Sequence, residues 1–156
     1  MARSELPHKQ NMIKTYPYIV VLIRFIVGGV FIVASYDKIL DPGNFAREIS
    51  NYHVIPFGLE NTIAIILPWV ELLIGIGLIG GVFIKANSIL TGTLLLIFNV
   101  LVFQAMVRGF NIECGCGLKE GQMVGYGKLI ENFLLLVGCC VIYKSKNKLL
   151  YAKAFQ

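Results

Sequence analysis

Four long apolar runs decide what this chain can fold into. They cover residues 18–36, 62–83, 88–107 and 126–143, and a helix needs about 20 apolar residues to cross a bilayer. Inside the bilayer every backbone polar group must be satisfied within a helix or a closed barrel. The sequence therefore predicts an all-α integral membrane protein, a four-helix bundle over residues 17–144.

The composition agrees with a membrane domain and excludes an ordinary soluble one. Only 15% of the residues are charged and 56% are hydrophobic, whereas soluble domains carry about 25% charged residues. The mean hydropathy is +0.73. Residues 1–16 are expected to form a polar N-terminal tail and residues 145–156 a basic C-terminal tail, and no segment between the spans is long enough for a separate soluble domain.

The net charge of +5 reads as a topology signal. Basic residues collect in the two tails and in the short turn between the second and third spans, while most acidic residues lie on the other side. By the positive-inside rule both termini are cytoplasmic, in a multi-pass protein of a bacterial inner membrane. We expect the protein to have the lipid bilayer as its partner, and we expect no nucleic acid to bind to the basic residues.

A short helix is predicted in the first outer loop. Asp41 is a good N-cap and Pro42 suits the first helical position. Phe45, Ile49 and Tyr52 then fall on one face. That pattern favours an interfacial helix lying on the outer membrane surface.

The outer loop of residues 108–127 carries Cys114-Gly115-Cys116. Disulfides persist outside the cytoplasm, and strained, exposed ones tend to be labile and catalytic. A passive staple over so short a loop would remove little unfolded-state entropy. Redox exchange with a partner thiol, metal binding by the two sulfurs, and a passive disulfide remain open.

His53 is expected on the same side of the membrane as Cys114 and Cys116. An imidazole there lowers a thiol pKa or completes a metal site; the alternative is an ordinary surface residue. Cys139-Cys140 lies deep in the fourth span, too far from the loop for direct exchange. Those two cysteines are expected to pack as small apolar residues.

Charges inside membrane spans are costly and mark structural or functional sites. Counting residues from the span ends places Arg24 about 12 Å deep from the inside and Glu71 about 14 Å deep from the outside. We therefore expect an Arg24–Glu71 ion pair that fixes the register of two helices or, alternatively, handles protons or substrate. Lys38 and Glu131 lie at a similar level; they form a second predicted pair or, alternatively, both reach the lipid headgroups.

Several of these elements together resemble the DoxX-like membrane protein superfamily, and within it the MauE (methylamine utilisation) branch. The residues that carry the resemblance are Arg24 and Gly28, the runs Tyr36-Asp37-Lys38-Ile39-Leu40-Asp41-Pro42, Phe45-Ala46, Leu67-Pro68-Trp69-Val70-Glu71-Leu72 and Glu113-Cys114-Gly115-Cys116-Gly117, and Asn132. The chain departs from the family pattern at two places: Gly117-Leu118-Lys119 follows the cysteines, and Glu131 precedes Asn132. These departures bear on the identity of the partner protein and not on the fold.

The resemblance implies a part in periplasmic thiol–disulfide chemistry or in the maturation of a partner protein, as in methylamine dehydrogenase biogenesis. Cys114 and Cys116 would then be the reactive residues of a thiol–disulfide oxidoreductase component, and the partner a periplasmic protein with thiols. Other relatives imply a link to quinone; the residues themselves indicate no cofactor. The alternatives are a non-catalytic assembly subunit, in a homo- or hetero-oligomer, and a metal-handling or transport protein that uses the two cysteines with His53.

Overall fold

The computed structural model describes residues 6–56, 58–109 and 126–145, with side chains from Tyr18 onward. It contains five helices in that part of the chain. In chain order they are α1 (Leu6–Leu40), α2 (Pro42–Asn51), α3 (Glu60–Gly80), α4 (Ile84–Val107) and α5 (Tyr126–Lys144). Four of them, all except α2, are long and apolar enough to span a membrane. The predicted all-α, four-span architecture is confirmed.

The four long helices form a ring in which each contacts two neighbours. The closest pairs are α1 with α3 and α4 with α5, and the ring closes through α1–α5 and α3–α4 contacts. Successive spans run in opposite directions. We call one end of the bundle the α2 end and the other, where α3 turns into α4, the turn end.

The core of the ring draws on all four spans. It contains Val27 and Phe31 of α1, Ile74 and Leu78 of α3, Leu95 of α4, and Cys139 and Ile142 of α5. The outer surface is apolar as well, with large exposed side chains on every span, among them Leu22, Phe25, Leu73, Phe103 and Phe133. A helix bundle with an apolar core and an apolar outer surface is suited to a lipid environment.

The turn between α3 and α4 lies at residues 81–83, and not at residues 84–87 as the sequence suggests. Gly81 adopts φ 73° and Phe83 φ 46°, left-handed conformations that glycine adopts at little cost. The Asn87 side chain donates a hydrogen bond to the Val82 carbonyl at 2.7 Å, which holds the turn. Helix α4 therefore begins at Ile84, one turn earlier than expected.

Helix α2 begins as predicted, with Asp41 as its N-cap. The Asp41 carboxylate accepts a hydrogen bond from the Asn44 backbone N–H at 2.9 Å. Its apolar face, however, packs on protein: Phe45 and Ala46 are buried against Ala64 of α3. The side chains expected to face the membrane surface instead fasten α2 to the bundle.

Two glycines set the distance between α1 and α3. A Cβ atom added to Gly75 would lie 2.8 Å from the Gly28 carbonyl oxygen, and one added to Gly28 would lie 2.9 Å from the Gly75 carbonyl oxygen. Small residues at such crossings let helix backbones approach closely in membranes. The two helices therefore touch backbone to backbone at this level.

We expect Gly75→Ala to destabilise the bundle by about 1–3 kcal/mol, as overpacking does elsewhere. The added methyl group meets backbone atoms of α1, which cannot move aside without separating the helices. The measurement is the thermal unfolding of the detergent-solubilised protein.

Gly29→Ala is the matched control, because a Cβ atom there has nothing within 4 Å. It should leave the unfolding temperature unchanged or raise it, since alanine has the higher helix propensity. Equal effects of the two substitutions would contradict a backbone contact at Gly75.

Candidate functional site

A buried ion pair joins α1 to α3 toward the α2 end. The Lys38 ammonium lies 2.8 Å from each oxygen of the Glu71 carboxylate. The two side chains are only 7% and 3% exposed. Charges so far from water are stable only when paired and hydrogen-bonded, so this contact constrains both helices.

Two aromatic rings flank the Lys38 ammonium. The ring centroid of Phe45, on α2, is 4.8 Å from Nζ, and that of Phe98, on α4, is 5.2 Å away. Both distances are within the range of a cation–π interaction. The ammonium is thus in contact with three helices besides its own, and it ties α2, α3 and α4 to α1.

The predicted Arg24–Glu71 pair is wrong. Arg24 donates from Nε and Nη2 to the Leu78 carbonyl at 2.9 and 2.7 Å, and from Nη2 to the Ile79 carbonyl at 3.3 Å. These carbonyls belong to the last turn of α3, where backbone carbonyls lack intrahelical N–H donors. A cation at a helix C-terminus is also favoured by the helix dipole. Arg24 therefore caps α3.

The direction of the side chains explains the exchange of partners. A helical side chain slants toward the N-terminus of its own helix. In the antiparallel α1–α3 pair, this points Arg24 toward the turn end and Glu71 toward the α2 end, away from each other. Lys38 slants from the α2 end toward the middle and meets Glu71.

The predicted Lys38–Glu131 pair is also wrong. Glu131 accepts a hydrogen bond from Lys128, one helical turn away on α5, at 3.0 Å. The Lys128 side chain is 4% exposed and that of Glu131 is 37% exposed. Lys38 pairs with Glu71, and Glu131 pairs with Lys128.

Two residues on the inner face of α5 were given no role in the site by the sequence analysis, although one of them, Asn132, is part of the family resemblance. Lys128 and Asn132 are both buried, and their spacing of four residues puts them on one helix face. That four-residue spacing is the sequence signal from which a polar inner face of α5 could have been predicted. Asn132 Nδ2, and Asn99 Oδ1 on α4, are buried without a hydrogen-bond partner within the described residues. The interior of the bundle near these residues of α4 and α5 is therefore partly polar.

The remaining predicted site residues are not brought together by the described part of the structure. His53 is exposed just beyond α2, and its Nδ1 lies 2.9 Å from the Asn51 carbonyl. Cys114 and Cys116 lie outside the described residues. Cys139 is 3% exposed in the core and Cys140 is exposed, so Cys139 packs as expected and its neighbour faces outward.

Tyr52 closes helix α2 and is buried next to it. Burial, and then the nearby Glu48 carboxylate, raise the pKa of Tyr52 to about 12. The phenol therefore stays protonated and neutral at any physiological pH, and serves as a packing residue.

No metal site is formed by the described residues: they contain no cluster of three His, Cys, Asp or Glu side chains that would hold a metal. A quinone needs hydrogen-bond donors at its two carbonyl oxygens, whereas the lipid-facing groove toward the α2 end has one amide, Asn99, among apolar side chains. One amide does not define a quinone site, so the quinone link stays a prediction.

Comparison with known proteins places the chain in a family. The family model described as methylamine utilisation protein MauE matches residues 16–145. The methylamine utilization protein MauE of Paracoccus denitrificans is 27% identical over 123 residues, which cover 76% of this chain and 65% of that protein. The protein of the same name from Methylorubrum extorquens is 28% identical over 108 residues, 67% of this chain and 58% of that protein.

The chain thus spans less than two thirds of the length of these curated relatives. No solved structure matches it.

We expect Glu71→Leu alone to cost about 3–5 kcal/mol, by analogy with soluble buried pairs, because it leaves the Lys38 charge buried without its carboxylate. Adding Lys38→Leu should restore part of the loss, since two apolar residues suit the interior. The measurement is the yield and thermal stability of folded protein in detergent.

The discriminating comparison is Glu71→Leu combined with Arg24→Leu. This double variant should be no better than Glu71→Leu alone, because Arg24 caps α3 and its loss adds a second defect. Rescue by Arg24→Leu in place of Lys38→Leu would mean that Glu71 pairs with Arg24 after all.

Proposed function

We propose that this chain, which belongs to the MauE family, exchanges disulfides with a partner protein outside the cytoplasm and so helps that partner mature. The reactive groups are Cys114 and Cys116, in the segment that joins α4 to α5. The observation that carries the proposal is this pair of cysteines, separated by a single glycine, in the sequence between two membrane-spanning helices.

The charge distribution supports an orientation for the proposal. Exposed Lys85 and Lys144 lie at the turn end, and further basic residues lie in the terminal tails. With the positive end inside, the α2 end faces the periplasm of a bacterial inner membrane. The loop with the two cysteines then lies in an oxidising compartment.

The proposed reaction is thiol–disulfide exchange. A partner thiolate attacks the Cys114–Cys116 disulfide and forms a mixed disulfide, and a second partner thiolate then displaces the chain's cysteine. The partner gains one disulfide, and the two electrons and two protons end on the thiols of Cys114 and Cys116. A further round of exchange would require a two-electron oxidant that returns Cys114 and Cys116 to the disulfide.

Both helices that flank the cysteine segment have contacts with buried charges. Helix α4 contacts the Lys38 ammonium through Phe98, nine residues before its last residue. In the first turn of α5, Lys128 is buried and paired with Glu131 of the same helix. The relatives are named for methylamine utilization, so we place the partner among the proteins that serve that process.

We expect Cys114 and Cys116 to change redox state in living cells. Acid quenching followed by alkylation with a heavy maleimide should show oxidised and reduced forms whose ratio shifts when an external reductant is added. Cys116→Ser, or Cys114→Ser, should abolish the redox change, because the remaining cysteine cannot form the internal disulfide that a partner thiolate attacks.

Cys140→Ser is the control, because Cys140 is exposed on α5 and distant from the loop in sequence. It should keep the redox change and the function. If the double variant Cys114→Ser, Cys116→Ser keeps full function, the thiols are not reactive groups, and the role of a non-catalytic assembly subunit is favoured instead.

A further inference from the structure

The lipid-facing seam between α4 and α5 contains two grooves. One, of about 310 Å³, lies toward the turn end and is lined by Ser88, Ile89 and Gly92 of α4 and by Cys140, Tyr143 and Lys144 of α5, among others. The second, of about 550 Å³, lies toward the α2 end, between Phe103 and Leu129. Their walls are almost entirely apolar.

The two grooves form one furrow. Leu96 and Leu136 line both of them, so the grooves meet at these side chains. From Leu129 to Lys144 the furrow follows 16 residues of α5, and the 15 steps between them span about 22 Å at the rise of an α-helix. This exceeds half of the roughly 30 Å hydrocarbon core, so it accommodates a full acyl chain of one leaflet.

The mouth of the furrow at the turn end is positively charged. Lys144 lines it in the last turn of α5. Lys85, in the first turn of α4, is exposed and four residues before Ile89, so it lies above the same helix face. All six acidic residues of the described ranges are elsewhere. Glu71 is near the middle of α3, where it is paired with Lys38, and the other five lie nearer the α2 end or in its connections: Asp37, Asp41, Glu48, Glu60 and Glu131.

We propose that the α4–α5 furrow binds one anionic phospholipid of the leaflet at the turn end. Its phosphate lies between Lys85 and Lys144, with the Tyr143 hydroxyl at the same level, and an acyl chain follows the furrow past Leu96. Basic residues at a membrane surface attract anionic lipids, and the apolar walls exclude a polar ligand from the rest of the furrow. This inference is independent of the thiol chemistry proposed above.

Charge and depth favour this occupant over the alternatives. A zwitterionic lipid fills the apolar walls equally well but gains less from two lysines that have no acid near them within the described ranges. A quinone ring would place its carbonyls against apolar side chains over most of the furrow. A second copy of the chain would bring a second pair of lysines to a mouth that is already positive.

The test uses the full-length protein in nanodiscs of phosphatidylcholine with a minority of phosphatidylglycerol, followed by native mass spectrometry of the released complex. We expect one retained phosphatidylglycerol per chain, enriched over its share in the nanodisc. Lys85→Gln and Lys144→Gln should each weaken retention about fivefold. Arg108→Gln, which removes an exposed charge at the α2 end, should leave it unchanged.

A steric variant tests the furrow separately from the charges. Leu96→Trp fills the point where the two grooves meet and should abolish retention. Ile97→Trp, one residue further along α4, exposed and outside the furrow, should not. If Leu96→Trp fails to fold, the lysine variants still decide the question.

Retention of both lipids in their nanodisc ratio, a retained quinone, or a dimer without lipid would each overturn the proposal. None of these outcomes depends on Cys114 or Cys116, so the measurement is repeated on the Cys114→Ser, Cys116→Ser variant. The same lipid retention in that variant would show that the site is separate from the thiol chemistry.

Discussion

The contact between Lys38 and Glu71 is the interaction on which the bundle depends most. Two opposite charges sit 2.8 Å apart in a part of the protein that water hardly reaches, and either one alone would be costly in an apolar interior. The pair is satisfied only if α1 and α3 keep their register. The close approach of Gly28 and Gly75 and the Arg24 cap on the last turn of α3 fix that register at two other levels.

The same contact connects further helices through its neighbours. Phe45 brings α2 against the Lys38 ammonium and Phe98 brings α4 against it. One buried charge thus contacts side chains of α2, α3 and α4 as well as belonging to α1. A buried charge that is paired and surrounded in this way constrains every helix that supplies a contact.

Much of the fold was predictable because lipid imposes simple rules. Span length and apolar composition identify the four long helices, and local chemistry places the start of α2, where Asp41 caps the helix before Pro42. The partners of the charges were not predictable by counting depth along the backbone. Arg24 and Glu71 have backbones at similar nominal depths, but their side chains slant apart, and Lys38 slants into the gap. Reading the slant along with the depth would have selected Lys38.

The order of the two charges along the chain has a consequence for insertion into the membrane. Lys38 lies near the end of α1, so its long side chain can keep the ammonium at the headgroups until a partner arrives. Glu71 is 11 residues into α3, about 16 Å from the end of that helix, and its short side chain cannot reach the surface. Lys38 is synthesised before Glu71, so the lysine is already available as a counter-ion when the acid enters the bilayer.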